Sequence, residues 1–233
     1  SNEDAPFSKV LSIRGKKFKL KKAQELIPEQ DFALESVDVI NSHLVCVYLK
    51  NVSSLIRIYD LEGNLKREVD LPVKGTVSMS DGRAKDPFVF LSLSSFAFPS
   101  VQYKLEVPSG KLNIHRESEI DIDASQFKTE QVFFKSTDGT EVPMYLVHKK
   151  GIEKNGEIPT LMYGYGGFNI AVKPSFQPNI IPFLEQGGMY VSVNLRGGSE
   201  YGETWHKQGM LENKQQVFDD FISAAEFLIE QGY

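Results

Sequence analysis

At 233 residues the chain has room for one or two domains, and its 41% hydrophobic and 24% charged content is globular rather than disordered. A net charge of −5 argues against a nucleic-acid or anionic-membrane partner, since both need a basic face. No apolar run approaches the ~18 residues of a membrane span, the opening SNEDAPFSKV lacks the basic-then-apolar order of a secretory signal, and no His/Cys cluster has zinc spacing.

Residues 1 to about 121 read as β-structure. Short apolar-alternating runs recur at His43–Leu49, Leu55–Tyr59, Lys66–Leu71, Pro87–Leu93 and Val101–Leu105. Turn chemistry such as LEGN, SDG and VPSG bounds them. Gly63 of the LEGN turn and Gly110 of the VPSG turn stand 47 residues apart, close to the length of one four-stranded propeller blade. A β-sandwich fragment fits the same pattern. Cys46, the only cysteine, falls inside the run HLVCVYL and reads as a small core residue. An internal disulfide is therefore impossible, which suits a reducing compartment.

From about residue 122 the pattern changes. QVFFKSTDGTEVPMYLVHKK predicts two strands around an Asp138-Gly139 turn. Leu161–Tyr165 is a short apolar run, read as a buried strand ending on glycines. Gly188–Leu195 has no polar face, as expected of a strand covered on both sides. Val217, Phe221, Ala224, Ala225 and Leu228 recur at helical spacing and predict a helix over Asn213–Gln231, with Asn213 as N-cap and Gly232 as the stop. A hairpin followed by buried strands and a helix argues for an α/β layer fold. The first residues enter mid-pattern and QGY follows directly on the helix, so both ends read as interior to a longer chain.

The loop YGYGGF is the candidate site. In open α/β sheets ligands bind beyond the carboxyl ends of the strands. Glycines bring backbone close to a ligand, and Tyr165 would hold a neutral hydroxyl donor there, which is oxyanion-hole chemistry. Hydrolases of this fold take one donor from the loop after the third strand, often as HGGG. A tight turn packed on an aromatic fits the same residues. Phosphate binding does not, for neither G-x-G-x-x-G nor Gly-Lys-Ser/Thr is present.

LMYGYGGFN, GGMYVSVNLRGGSEYGETWHKQG and NKQQVFDDFISAAEFLIEQGY, in this order and spacing, resemble the prolyl oligopeptidase (prolyl endopeptidase) family of serine peptidases. The resemblance is densest over residues 130 to 233. DIDASQFKTEQVFFKSTDGTEVPMYLVHKKG is similar to that family's passage from propeller to hydrolase domain. GYGGF favours the prolyl branch over a basic-residue-specific relative. The resemblance implies the last blades of a seven-bladed β-propeller over 1–121, then the first part of an α/β-hydrolase domain over 122–233. It implies cleavage of short peptides after proline, in the cytoplasm, with no metal or cofactor. It assigns Tyr165 as an oxyanion donor, and Phe168, Gly166 and Gly167 to substrate binding.

A serine peptidase also needs a nucleophile, a base and an acid. No G-x-S-x-G elbow occurs in the chain. In RGGSEYG, Ser199 is followed two residues later by Tyr201, and it is not read as the nucleophile. The resemblance places the triad beyond Tyr233, so these residues alone are expected to be inactive. His43, His115, His148 and His206 read as loop or packing residues, and Trp205 and Tyr201 as packing. Asp219 and Asp220 diverge by ~100° on their helix and read as a solvated or salt-bridged face. Arg196, at the end of a buried strand, fits either a carboxylate partner or a substrate contact, and the structural role is the favoured one. The rival reading is a non-catalytic β-propeller binding module.

Overall fold

Two four-stranded meanders, one two-stranded antiparallel pair and one mixed sheet make up the β-structure of the computed structural model, which describes residues 1–13, 22–120 and 122–233. Asp121, at the expected domain boundary, lies outside the described residues. The chain divides into two compact units. One comprises Ser1–Leu93, Val101–Glu117 and Tyr201–Glu203, the other Ser94–Ser100, Ser118–Glu200 and Thr204–Tyr233.

In the first unit β1 (Val10–Ser12) pairs with β2 (Gln24–Ile27). Then β3 (Ala33–Ile40), β4 (His43–Lys50), β5 (Ser53–Tyr59) and β6 (Leu65–Val69) form one four-stranded sheet in chain order. A second such sheet holds β7 (Thr76–Met79), β8 (Phe88–Ser95), β9 (Phe98–Glu106) and β10 (Leu112–Arg116). These are two successive propeller blades, and the sheets are not closed into a ring. LEGN joins the third and fourth strands of the first blade, and VPSG the same strands of the second. That equivalence is the physical origin of the 47-residue spacing. In the first turn Asp60 Oδ1 accepts from the N–H groups of Glu62 and Asn64, at 3.1 and 2.8 Å. Gly63 sits at φ +86°, where a Cβ would stand 2.0 Å from the Leu26 carbonyl oxygen. No other residue fits that turn.

The inner strands are apolar because both faces are covered: six successive residues of β4, Leu44 to Leu49, are buried. Cys46 packs there with Tyr48, Tyr59, Leu44 and Ile27. Burial pushes its thiol up to about 12, so it is an inert core residue. The strands of this unit that the sequence reading passes over are β1, β2, β3, β7 and β10, which form sheet edges, are partly exposed and lack a clean alternation.

In the second unit β11 (Phe127–Lys135) and β12 (Glu141–Lys149) form the expected hairpin, with Gly139 at φ +83°. β13 (Thr160–Gly164) and β14 (Met189–Val193) complete a sheet of order β11-β12-β14-β13. Only the β13–β14 pair is parallel. A hairpin leading into a crossover parallel pair is the start of an α/β-hydrolase sheet. β14 lies inside and is wholly buried. β13 lies at the edge, and here the reading from sequence is corrected: Leu161 and Tyr163 are half-exposed, because strand order rather than composition decides which apolar run is covered.

Short helices α1 (Ile181–Glu185) and α2 (Gly202–Lys207) precede α3 (Gln215–Glu230). Val217, Ala224 and Leu228 form the buried face of α3 as the spacing predicts, and Phe227 meets Phe134 of β11. Asn213 is not the N-cap. It closes a 3-10 turn, Leu211–Asn213, that runs straight into α3 through a helical Lys214, and its Nδ2 donates to the Lys207 carbonyl. Backbone bonds from Lys214 to Leu211 and from Val217 to Lys214 bridge the junction instead. The stop at Gly232 holds: Gly232 N–H donates to Ile229 O and Tyr233 N–H to Leu228 O, a Schellman end.

Candidate active-site loop

β13 delivers the chain to the YGYGGF loop at the carboxyl end of the sheet. Tyr165 is 44% exposed, and its ring lies 6.4 Å from that of Phe168. Phe168 is 83% exposed. Gly166, Phe168 and Asn169 all adopt positive φ, at +58°, +52° and +56°. Two successive non-glycine residues in the left-handed region are costly, and such strain concentrates where a loop must present side chains.

The glycines have different duties. A Cβ on Gly166 would stand 2.3 Å from Val217 Cγ1, 2.8 Å from Leu195 Cβ and 2.9 Å from the Arg196 carbonyl oxygen. Its bare face is therefore filled by β14's continuation and α3. Around Gly167 there is room, the nearest atom being Lys214 Nζ at 3.7 Å. Lys214 donates to the Gly166 carbonyl at 2.5 Å. Further along, Asn169 N–H donates to Gly197 O at 3.1 Å, and Val172 is held through both backbone groups. A cleft of about 650 Å³ opens beside this loop, with Tyr163, Tyr165, Ile170, Val172 and Tyr190 among its walls.

Behind the loop lies a buried ion cluster. Arg196 is 1% exposed and Asp220 fully buried. Arg196 Nε donates to Asp220 Oδ2 at 3.0 Å and Nη2 to Oδ1 at 2.6 Å. Arg196 Nη1 also reaches Asp138, on the β11–β12 turn, and Gln216 of α3. The guanidinium holds the Asp138 carboxyl down at about 2. Arg196 is thus the structural partner of a carboxylate, as expected. Asp220 is salt-bridged but not solvated, and Asp219 accepts from Gln215 one turn back.

No hydrogen bond among the described residues links any of the four histidines to a serine. His206 donates from Nδ1 to Gly197 O at 2.7 Å. His148 is bound to Lys149 O and Glu130, His43 to Asn41 O, and His115 lies against Phe90. Ser199 is half-buried. The structure thus gathers Tyr165, Gly166, Gly167 and Phe168 on one anchored loop and forms no triad among the described residues. Sequence reasoning passed over Lys214, Asn194 and Glu200, whose roles depend on partners 22 to 48 residues away.

Blades leading into the start of an α/β-hydrolase sheet, with a tyrosine-bearing loop at its carboxyl end, define a β-propeller joined to an α/β-hydrolase fold. Residues 1–118 match the N-terminal β-propeller domain of prolyl oligopeptidase, and residues 174–233 match the prolyl oligopeptidase family. The chain belongs to the prolyl oligopeptidase family. A prolyl endopeptidase of Dictyostelium discoideum is 38% identical over all of this chain and 32% of its own length, and one of Elizabethkingia meningoseptica is 33% identical over all of this chain and 33% of its own. A structure from an analysis of two prolyl endopeptidases superposes with a TM-score of 0.94 at 40% identity, covering the whole chain and 34% of the other. Prolyl oligopeptidase B of Galerina marginata, bound to a 35-residue hydrolysis and macrocyclization substrate, superposes with a TM-score of 0.91 at 34% identity, covering the whole chain and 33% of its own. The chain spans about a third of the length of these relatives.

Proposed function

We propose that this chain serves a serine oligopeptidase that cleaves short, proline-containing peptides on the carboxyl side of proline, in the cytoplasm. Tyr165 is its oxyanion donor. The observation that carries this reading is the placement of Tyr165: half-exposed at the cleft mouth, on a loop pinned at Gly166, Asn169 and Val172. When a serine attacks a peptide carbonyl, negative charge moves onto the carbonyl oxygen. A neutral phenol held in place donates to that oxygen without reorganising. Phe168, projecting beside Tyr165, supplies an apolar surface for the proline ring, with Gly167 leaving room for the peptide backbone and Gly166 setting the turn. With no serine bound to a histidine among the described residues, the 233 residues by themselves are expected not to turn over substrate.

The test is Tyr165→Phe in the complete enzyme, assayed with a chromogenic peptide cleaved after proline. The lost donor lowers kcat on the order of 10–1000-fold with a smaller change in KM. An unchanged kcat removes Tyr165 from the role.

A further inference from the structure

One wall of the cleft, Ile170 to Lys173, pairs with no strand among the described residues. Two side chains take a strand's place. Val172 N–H donates to Glu200 Oε1 at 2.9 Å, and Asn194 Nδ2 donates to the Val172 carbonyl at 2.7 Å. Asn194 Nδ2 also lies 3.5 Å from Glu200 Oε1, so the two side chains brace each other. Both are buried, Glu200 to 1% exposure and Asn194 to 0%. Gly198 makes room for the carboxyl: a Cβ there would stand 2.0 Å from Glu200 Oε2 and 2.8 Å from the Ile170 carbonyl oxygen. Glu200 Oε2 is itself buried with no hydrogen-bond partner among the described residues.

We propose that Glu200, braced by Asn194, is a positioning residue that clamps the Ile170–Lys173 wall of the peptide cleft, and that losing its proton loosens the clamp. The inference rests on reading this cleft as the peptide site. A protonated carboxyl suits the niche, because Oε1 keeps accepting from Val172 while a neutral Oε2–H fills a buried position that holds no partner for a charge among the described residues. A carboxylate would place an uncompensated charge there. Burial pushes the Glu200 carboxyl up to about 7, and the groups that oppose it are all neutral: the N–H of Val172, its own N–H and the Asn194 amide. Of the charged side chains around it, Arg196, four residues back, is committed to Asp138 and Asp220, Lys173 adjoins the clamped Val172, and Glu203 lies three residues on in α2. The residues of β14 that lead into Asn194, Ser192 and Val193, are uncharged.

The experiment is amide hydrogen exchange of the full chain over residues 169–175, corrected for the intrinsic pH dependence of exchange, in wild type and in Glu200→Gln and Glu200→Leu. A carboxyl at about 7 when enclosed and 4.5 when released lowers protection about tenfold between pH 6 and 8.5. Glu200→Gln, which accepts and donates like the protonated acid, keeps its protection and is flat across that range. Glu200→Leu is poorly protected at every pH, and in the complete enzyme it raises KM for peptides more than it lowers kcat. Wild-type protection that does not change with pH, or a Gln variant that follows the wild-type curve, overturns the proposal. The exchange readout needs no catalysis, so it stands even where Tyr165→Phe leaves kcat unchanged and the oxyanion assignment fails.

Discussion

Asp220→Asn removes one charge from the buried pair behind the YGYGGF loop, and the structure sets the scale of the loss. Asp220 accepts from Arg196 through Nε, Nη2 and the backbone N–H, and both residues are sealed from water. Charge centres about 4 Å apart attract by about 4 kcal/mol at an effective dielectric of 20. Removing one partner of a buried pair typically costs about 3–5 kcal/mol, since the other charge is left uncompensated. Asp138 stays beside Arg196, but its side chain is 40% exposed and solvent screens it, so the expected loss is about 3 kcal/mol. Trp205 reports it. Its indole is buried, with Nε1 donating to the Leu195 carbonyl at 3.1 Å, next in the chain to Arg196. Urea unfolding followed by Trp205 emission should shift its midpoint by about 1.5 M at an m-value of about 2 kcal/mol/M. The apolar double variant, Arg196→Met with Asp220→Leu, should recover most of that loss. A loss below about 1 kcal/mol in Asp220→Asn, or losses that simply add in the double variant, would refute the reasoning.

Two further outcomes follow from the same unit. Gly166→Ala places a Cβ against Val217 and Leu195 at a positive φ, and should cost about 2–3 kcal/mol, measured by the same unfolding curve; a loss near zero would show that the loop is free to move off α3. Stability should also depend on pH in two windows of opposite sign. Glu200 is raised from 4.5 to about 7, so the folded chain holds a proton that the unfolded chain has released. Stability therefore falls as pH rises from 4.5 to 7, by up to about 3 kcal/mol, and stays low above. Asp138 is lowered from 3.8 to about 2, so its contribution is present above 3.8 and is lost as pH falls towards 2. Denaturation at pH 5 and pH 8 checks the first window: wild type should be the less stable at pH 8, and Glu200→Gln should remove most of the difference.

Local chemistry was legible without coordinates. The Gly63 and Gly110 turns mark equivalent strand pairs of successive blades, Asp138-Gly139 closes a hairpin, and the 3–4 spacing of Val217, Ala224 and Leu228 marks the buried face of α3. Each depends on backbone preference or side-chain period within a few residues, which is information a sequence carries directly. The Asn213 cap failed because a preceding 3-10 turn supplied the backbone bonds a cap would have made.

What tertiary structure alone decided is which residues lie behind the loop. Lys214 reaches Gly166 across 48 positions, Arg196 joins Asp138 and Asp220 across 58 and 24, and Glu200 meets Val172 across 28. The sequence suggested a carboxylate partner for Arg196 but could not name which one, because these partners meet only when the fold brings distant segments together. The apolar runs of β13 and β14 look alike, yet the sheet order buries one and leaves the other at an edge. The motif YGYGGF marked the candidate loop through short-range chemistry. The geometry that makes it rigid comes from contacts the chain forms only when folded.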